Sequence, residues 1–290
     1  GQTADLLERS DVLRSVFITG AAVDDSGPEP ETATKSGSKA LAPSKNGTAH
    51  LNGAPPKELV DLLLQPTVLE CSGIMKSFGG IRVLNDIEFG LHKGEIVGLI
   101  GHNGAGKTTL FDVICGFLTP DGGRVRLGGY DITEHASSER AFLGLGRSFQ
   151  EARLFPALTV EETVAVALER HLMSKDLVAA ALRLPASTIS EEIVAARVGE
   201  LLDQLGLVRY ASSPIGELST GTRRIVELAC ILAQEPAVVL LDEPTAGFSH
   251  RENEALGPLL RRVRYEVGCT MLVIDHDMPM LTNLCDRLIA

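Results

Sequence analysis

The chain has 290 residues, with 27 Lys and Arg against 38 Asp and Glu, for a formal net charge of −11. That balance excludes a surface built chiefly for nucleic acid or anionic lipid, which needs clustered cations, and nine Phe, three Tyr and no Trp are too few for a base-stacking platform. At 44% hydrophobic and 22% charged residues, the chain can pack a core of one or two domains.

Residues 4–18 carry Leu6, Leu7, Val12, Leu13, Val16 and Phe17 on a rough helical period, which predicts a helical tail over 1–21. Over 22–56 Gly, Pro, Ser, Thr, Ala and Lys dominate and large apolar residues almost vanish. Such a segment cannot bury enough surface to offset its ordering entropy, so a disordered linker is expected there. KELVDLLLQ at 57–65 predicts one short helix. The pattern is dense from Pro66 onward. Short strands are expected at Val68–Cys71, Val83–Leu84 and Ile87–Leu91, then a buried strand at Glu95–Ile100, a Gly-rich turn and a helix at about 107–116. A hairpin-like Gly122–Gly129 follows, then a mostly helical stretch over 160–208 and a helix at 220–233. Ala237–Leu241 is a continuous apolar run of the kind found in central parallel strands. A helix at about 251–266, the strand Thr270–Ile274 and a helix at about 278–285 complete the series. Strands alternating with helices predict an α/β domain with a parallel sheet. Residue 1 is Gly, and Arg287–Ala290 reads as a strand, so both ends read as cut and the domain as truncated at its C-terminus.

No stretch approaches the roughly eighteen apolar residues of a membrane-spanning helix, and GQTADLLERS at 1–10 has no apolar run of the secretory type. Cys71, Cys115, Cys230, Cys269 and Cys285 lie far apart with no metal-ligand spacing, and read as reduced thiols of a cytosolic protein.

The segment Gly101-His102-Asn103-Gly104-Ala105-Gly106-Lys107-Thr108-Thr109 fits G-x-x-x-x-G-K-[ST] between an expected strand and an expected helix. Glycines let the backbone curl so that its N–H groups face one anion, and the helix starting near Lys107 adds its positive end. The Lys107 ammonium then reaches the β- and γ-phosphates and the Thr108 hydroxyl ligates Mg²⁺. His102 neighbours the ligand without a catalytic role. Val238-Val239-Leu240-Leu241-Asp242-Glu243 is an apolar strand ending in two carboxylates, at the edge where open α/β sheets bind ligands. Asp242 is expected in the Mg²⁺ shell, and Glu243 is expected to polarise the attacking water.

Together with Leu218-Ser219-Thr220-Gly221-Thr222, these motifs make residues 66–290 resemble the nucleotide-binding domain of ABC transporters. The resemblance implies a P-loop NTPase: a RecA-like core with a mostly parallel sheet, a small antiparallel β subdomain, and a helical subdomain at about 151–217. It implies that Phe78, in Lys-Ser-Phe-Gly-Gly, stacks on adenine, with Val83 as a second contact. Gln150 would join the γ-phosphate and Mg²⁺ site to the membrane partner. Leu218–Thr222 is the signature turn, whose Ser219 and Gly221 N–H donate to ATP held by a partner domain. Ala246-Gly247-Phe248-Ser249 is the loop after the acids, and His276 contacts the γ-phosphate. The implied catalytic set is Glu243, His276, Gln150 and Lys107, and the implied Mg²⁺ set is Thr108, Gln150 and Asp242. This chain departs from the commoner Leu-Ser-Gly-Gly-Gln at Thr220 and Thr222, and Ser249 stands where an Asp is common.

Within the family, Ser148-Phe149-Gln150 followed by Arg153-Leu154-Phe155-Pro156, then Leu158-Thr159-Val160, Ala246-Gly247 and Asp275-His276-Asp277-Met278, resemble the ATPase subunits of branched-chain amino acid importers. The implied partners are a transmembrane permease and a second ABC ATPase domain, with no nucleic acid, at the cytoplasmic face of the membrane. The solute stays open, since its contacts lie in other chains; branched-chain amino acids are the leading example, and urea, short amides and other hydrophilic solutes stay open beside them. An export ATPase for lipid or glycan is the alternative branch. A soluble tandem ATPase acting on ribosomes is a further one, disfavoured by the Gly/Pro/Ser-rich linker and the acidic charge. The N-terminal helix reads either as the closing helix of a preceding ATPase domain or as a plain amphipathic leader. The first reading makes the pair a fused pseudo-heterodimer, the second a homodimer.

Overall fold

The computed structural model describes residues 65–149, 154–168 and 185–290. The helical tail, the linker and all but the last residue of the short helix expected at 57–65 lie outside the described residues.

Two twelve-residue strands, β1 (Thr67–Phe78) and β2 (Ile81–His92), pair antiparallel. Gly79 and Gly80 join them at φ +52° and +86°, the left-handed pair that a two-residue hairpin demands. The three short strands expected here merge into two long ones. Register shifts at Cys71/Ile74 and Lys76/Ser77 break the apolar alternation, which hides the continuity from a periodicity reading. The buried β3 (Ile96–Leu99) leads through the Gly-rich turn into α1 (Lys107–Cys115). β4 (Gly122–Leu127) and β5 (Tyr130–Asp131) form the expected hairpin, and β1 lies between β2 and β4 in the four-stranded antiparallel sheet.

α2 (Ser137–Phe142) precedes β6 (Leu145–Arg147), and α3 (Val160–Leu168) and α4 (Pro185–Gln204) are the described helices of the expected helical region. α5 (Thr220–Leu232) feeds β7 (Val238–Asp242), and α6 (His250–Val267) feeds β8 (Thr270–Ile274). α7 (Met278–Leu284) and β9 (Arg287–Ile289) end the described chain. The second sheet has five strands in the order β6-β7-β8-β3-β9, every pair parallel.

This parallel sheet is covered on both faces. Val238 and Leu240 of β7 pack with Val97, Leu110, Phe111 and Ile114 on the side of α1 and the antiparallel sheet. Val239 and Leu241 pack with Val160, Val226, Leu232, Leu260 and Val273 on the opposite side. Burial on both faces is why the strand reads as one apolar run. Glu95, fully buried, pairs with Arg287 and accepts the N–H of His92 at 2.9 Å, tying β2, β3 and β9 together.

Arg140 of α2 is 1% exposed, and nothing in the sequence pattern marked it as buried. Its guanidinium donates to the main-chain carbonyls of Val113 and Ile114 at 2.7 Å each, Thr133 at 2.7 Å and His135 at 3.0 Å. Val113 and Ile114 lie in the last turn of α1, so the cation sits against the negative end of that helix. A methyl at Gly116 would come 2.7 Å from Arg140 Nε, and Gly116 at φ +76° closes α1 there.

All five cysteines are free. Burial pushes the thiols of Cys71, Cys230 and Cys285 up to about 12, and those of Cys115 and Cys269 up to about 11. The reactive species is the thiolate. Folded protein at about pH 8 is therefore expected to resist iodoacetamide, and full labelling should need denaturant; mass spectrometry of labelled peptides checks this. Among the described residues no helix is long and apolar enough to cross a membrane.

Candidate nucleotide site

The turn from β3 to α1 is built as its motif predicts. Gly104 and Gly106 take φ +81° and +90°, so the chain curls where an L side chain would be strained. Gly106 is the N-cap of α1, and a methyl there would come within 3.0 Å of Val83 Cγ1 and of the Val83 carbonyl. The Lys107 ammonium donates to the carbonyls of Gly101 at 2.7 Å and His102 at 3.0 Å, which holds it inside the loop. His102, Asn103, Gly104, Ala105 and Thr108 are exposed, and Thr109 is half-buried. Phe78 stands at the end of β1, 45% exposed, with the Lys76 ammonium 5.7 Å from its ring centre.

Asp242 ends β7 at 2% exposure. Its Oδ2 accepts from Arg147 Nη2 at 3.3 Å, its N–H donates to Ser148 Oγ at 3.1 Å, and its Oδ1 is buried without a hydrogen-bond partner. Arg147 also donates to Asp112 Oδ1 at 2.6 Å and sits between the rings of Phe111, Phe117 and Phe149, 5.4–5.7 Å from their centres. This cation was not singled out from the sequence. It ties α1 to β7, and only the fold brings Asp112 and Asp242 to it.

Burial lifts the Asp242 carboxyl above its ordinary range, with Arg147 opposing and Glu243 and Asp112 adding to the rise. A carboxyl raised in the folded state favours folding below the ordinary carboxylate value, and that contribution is lost as pH rises through the raised value. Ionised Asp242 therefore costs the fold stability near neutral pH. Asp242→Asn is expected to raise the melting temperature of nucleotide-free protein near neutral pH while abolishing hydrolysis. A lowered melting temperature would show that Arg147 outweighs burial.

Glu243 follows in the left-handed region at φ +49°, rare for a residue with a side chain and characteristic of functional sites. Its N–H donates to Ile274 O at 2.8 Å and its carbonyl accepts from Ala246 at 3.0 Å, which holds the strained turn. Its Oε1 lies 3.2 Å from His276 Nε2, so two residues 33 positions apart are in hydrogen-bond contact. Asp275, 5% exposed, organises both loops. It accepts from the Thr245 hydroxyl at 2.7 Å, the Thr245 N–H at 3.1 Å and the Asp277 N–H at 2.9 Å. The Asp275-His276-Asp277 sequence was the only signal of this role.

Ser219 caps α5, its Oγ accepting the Thr222 N–H at 3.2 Å and lying 2.9 Å from the Thr222 hydroxyl. The unusual Thr222 thus braces the serine of its own turn. The unusual Thr220 lies against the loop after the acids: a methyl at Gly247 (φ +81°) would come 2.8 Å from Thr220 Cγ2. Gly221 has Glu252 Oε1 where its Cβ would be, at 2.7 Å. Ser249 caps α6 in a reciprocal box with Glu252, whose Oε2 accepts the Ser249 N–H at 2.7 Å. Gln150 lies outside the described residues.

The family description "ABC transporter" matches residues 84–246. BraF of Pseudomonas aeruginosa, a high-affinity branched-chain amino acid transport ATP-binding protein, is 34% identical over 223 residues, 77% of this chain and 87% of BraF. LivG of Escherichia coli, another protein of that description, is 34% identical over 221 residues, 76% of this chain and 86% of LivG. Among solved structures, an ATP-binding cassette of an ABC transporter in its ADP conformation superposes with a TM-score of 0.65 at 28% identity, covering 77% of this chain and 87% of that one. CbiO1 of Clostridium perfringens, part of the ABC transporter complex cbiONQ, gives 0.65 at 26% identity over 78% and 88%. A phosphate loop, a buried acid and an acid–histidine pair on this sheet, together with these matches, lead to one conclusion: the chain belongs to the ABC transporter family, as an ATP-binding ATPase.

Proposed function

We propose that the chain is the Mg²⁺-dependent ATPase of a solute importer of the branched-chain amino acid type, peripheral to the membrane, working on a separate permease and paired with a second ABC ATPase domain. The observation that carries the chemistry is the Glu243–His276 contact beside buried Asp242. The importer branch is supported by BraF and LivG, both named for branched-chain amino acid transport.

Each residue has a distinct task. The N–H groups of the Gly101–Thr109 turn and the positive end of α1 hold the phosphates, with the Lys107 ammonium on the β- and γ-oxygens. Phe78 and Val83 hold the base. The orphaned Asp242 Oδ1 and the exposed Thr108 hydroxyl are hard oxygen donors that fit Mg²⁺, with Gln150 as a third. Among the described residues no cluster of three or more His, Cys, Asp or Glu could hold a metal alone, in keeping with an ion shared with phosphate. A bound Mg²⁺ would supply charge neutralisation to the phosphates. Glu243 accepts a hydrogen bond from the attacking water and orients it; His276 keeps that carboxylate in place and contacts the γ-phosphate. Ser219 and the Gly221 N–H act across the gap, on the triphosphate held by the second domain, and complete a site that positioning alone leaves short of charge stabilisation.

Affinity capture of the full chain from membranes should recover a polytopic membrane protein, and radiolabelled leucine uptake should be lost in cells expressing Lys107→Ala. Recovery of ribosomes instead would overturn the transport reading. Intact leucine uptake with loss of lipid or glycan export would favour the export branch.

A further inference from the structure

α5 starts with the signature turn, and roughly one to two helical turns beyond Ser219 it carries a buried ion pair that grips the main chain of another element. Arg224 and Glu227 are 9% and 7% exposed, and their charged groups lie 3.4 Å apart. Glu227 Oε1 accepts the N–H of Phe149 at 3.1 Å, and Arg224 Nη1 donates to the carbonyl of that same residue. Both main-chain groups of Phe149 are thus held from α5, which fixes the tilt of its two peptide planes as well as its distance. The preceding residues face the opposite way. The Ser148 N–H donates to Leu240 O at 2.9 Å, its Oγ accepts the Asp242 N–H at 3.1 Å, and Arg147 reaches Asp242 Oδ2 at 3.3 Å. Three consecutive residues therefore bridge the helix of the signature turn to Asp242.

We propose that Arg224 and Glu227 are positioning residues that couple the signature turn to Asp242 through the main chain of Phe149 and Ser148. The proposal rests on the reading that Ser219 and Gly221 engage nucleotide held by a second domain. Under it, a displacement of α5 when the turn meets that nucleotide is carried to the acid of the chain's own site. One feature favours a device over a packing accident. A buried ion pair is often no better for stability than apolar residues of similar volume, so its presence here asks for a geometric reason. Burial raises the Glu227 carboxyl above its ordinary range, and the Phe149 N–H and Arg224 oppose part of that rise.

The test uses the full chain and compares wild type, Arg224→Lys and the double variant Arg224→Met/Glu227→Met. The double variant removes both charges together and keeps the volume. Melting curves establish that it is folded. Its kcat for ATP hydrolysis is expected to fall about tenfold or more while KM for ATP stays within about twofold, and its half-saturating Mg²⁺ concentration should rise by a few-fold. A merely structural role would scale activity with the folded fraction and leave the Mg²⁺ dependence unmoved. In a cycle with Ser219→Ala the two losses of kcat should overlap rather than multiply. A folded double variant with wild-type kcat and Mg²⁺ dependence, or losses that multiply, overturns the coupling. Should the double variant not fold, Arg224→Lys decides. Its single ammonium cannot serve both Glu227 and the Phe149 carbonyl, so kcat should fall several-fold, and an unchanged kcat overturns the proposal. A wild-type chain that hydrolyses no ATP, alone or with its permease, overturns the functional reading itself, and the coupling falls with it.

Discussion

Glu243→Gln leaves ATP binding intact and lowers kcat by about 10²–10⁴, the contribution of a positioned general base. The amide keeps the size of the carboxylate and an oxygen within reach of His276 Nε2, so the 3.2 Å contact survives as a hydrogen bond. What it loses is the negative charge that draws a proton from water. On the proposed reading, binding of phosphate depends on the Gly101–Thr109 turn and Lys107, not on the Glu243 carboxylate. Nucleotide that binds and is not cleaved should hold the domain pair closed, visible as an ATP-dependent shift to the dimer in size-exclusion chromatography. Full turnover in this variant would remove Glu243 from the chemistry. A loss of ATP binding would show that the left-handed turn at φ +49° needs the carboxylate to form.

Arg140→Met destabilises the domain by on the order of 3 kcal/mol. Methionine fills the place of the arginine stem as far as Nε, so the space that opens is only that of Cζ and its two nitrogens. The loss comes from the carbonyls of Val113, Ile114, Thr133 and His135, which give up their donors inside the protein. Part of that is offset, because burial also disfavours the charged guanidinium. A loss of this size lowers the melting temperature by roughly 6–12 °C for a domain of roughly two hundred residues. Arg140→Lys should rescue little, since one ammonium cannot span four carbonyls. A melting temperature within about 2 °C of wild type would show that water replaces the lost donors. Turnover per folded molecule should hold, because the guanidinium caps the end of α1 opposite Lys107.

The parts of this molecule that were legible beforehand are those where local chemistry decides. The phosphate turn, β7 and β8 were placed to within a residue because glycine spacing and apolar runs buried on both faces leave little choice of structure. The β1–β2 hairpin was seen only in fragments, since bulges invert its alternation partway along. Glu243 was legible from the acids at the end of an apolar strand and His276 from family resemblance; their contact was not foreseen, and parallel pairing of β7 with β8 puts both at adjacent strand ends. Arg140, Arg147, Asp275 and the Arg224–Glu227 pair were not picked out. Each looks like an ordinary charged residue on a helix, strand end or loop. Its partners are main-chain atoms or acids that only the tertiary fold brings near, and periodicity carries no information about them.

Val83 rests against Gly106, so close that a methyl added there would come within 3.0 Å of its Cγ1 and its carbonyl. The strand that is to touch the base therefore also props the turn that is to grasp the phosphates. Inorganic tripolyphosphate has no base to lose, yet shaving Val83 to alanine should weaken its binding along with that of ATP, because the undercut turn sags for either guest. A flat response to tripolyphosphate would mean the turn stands unaided.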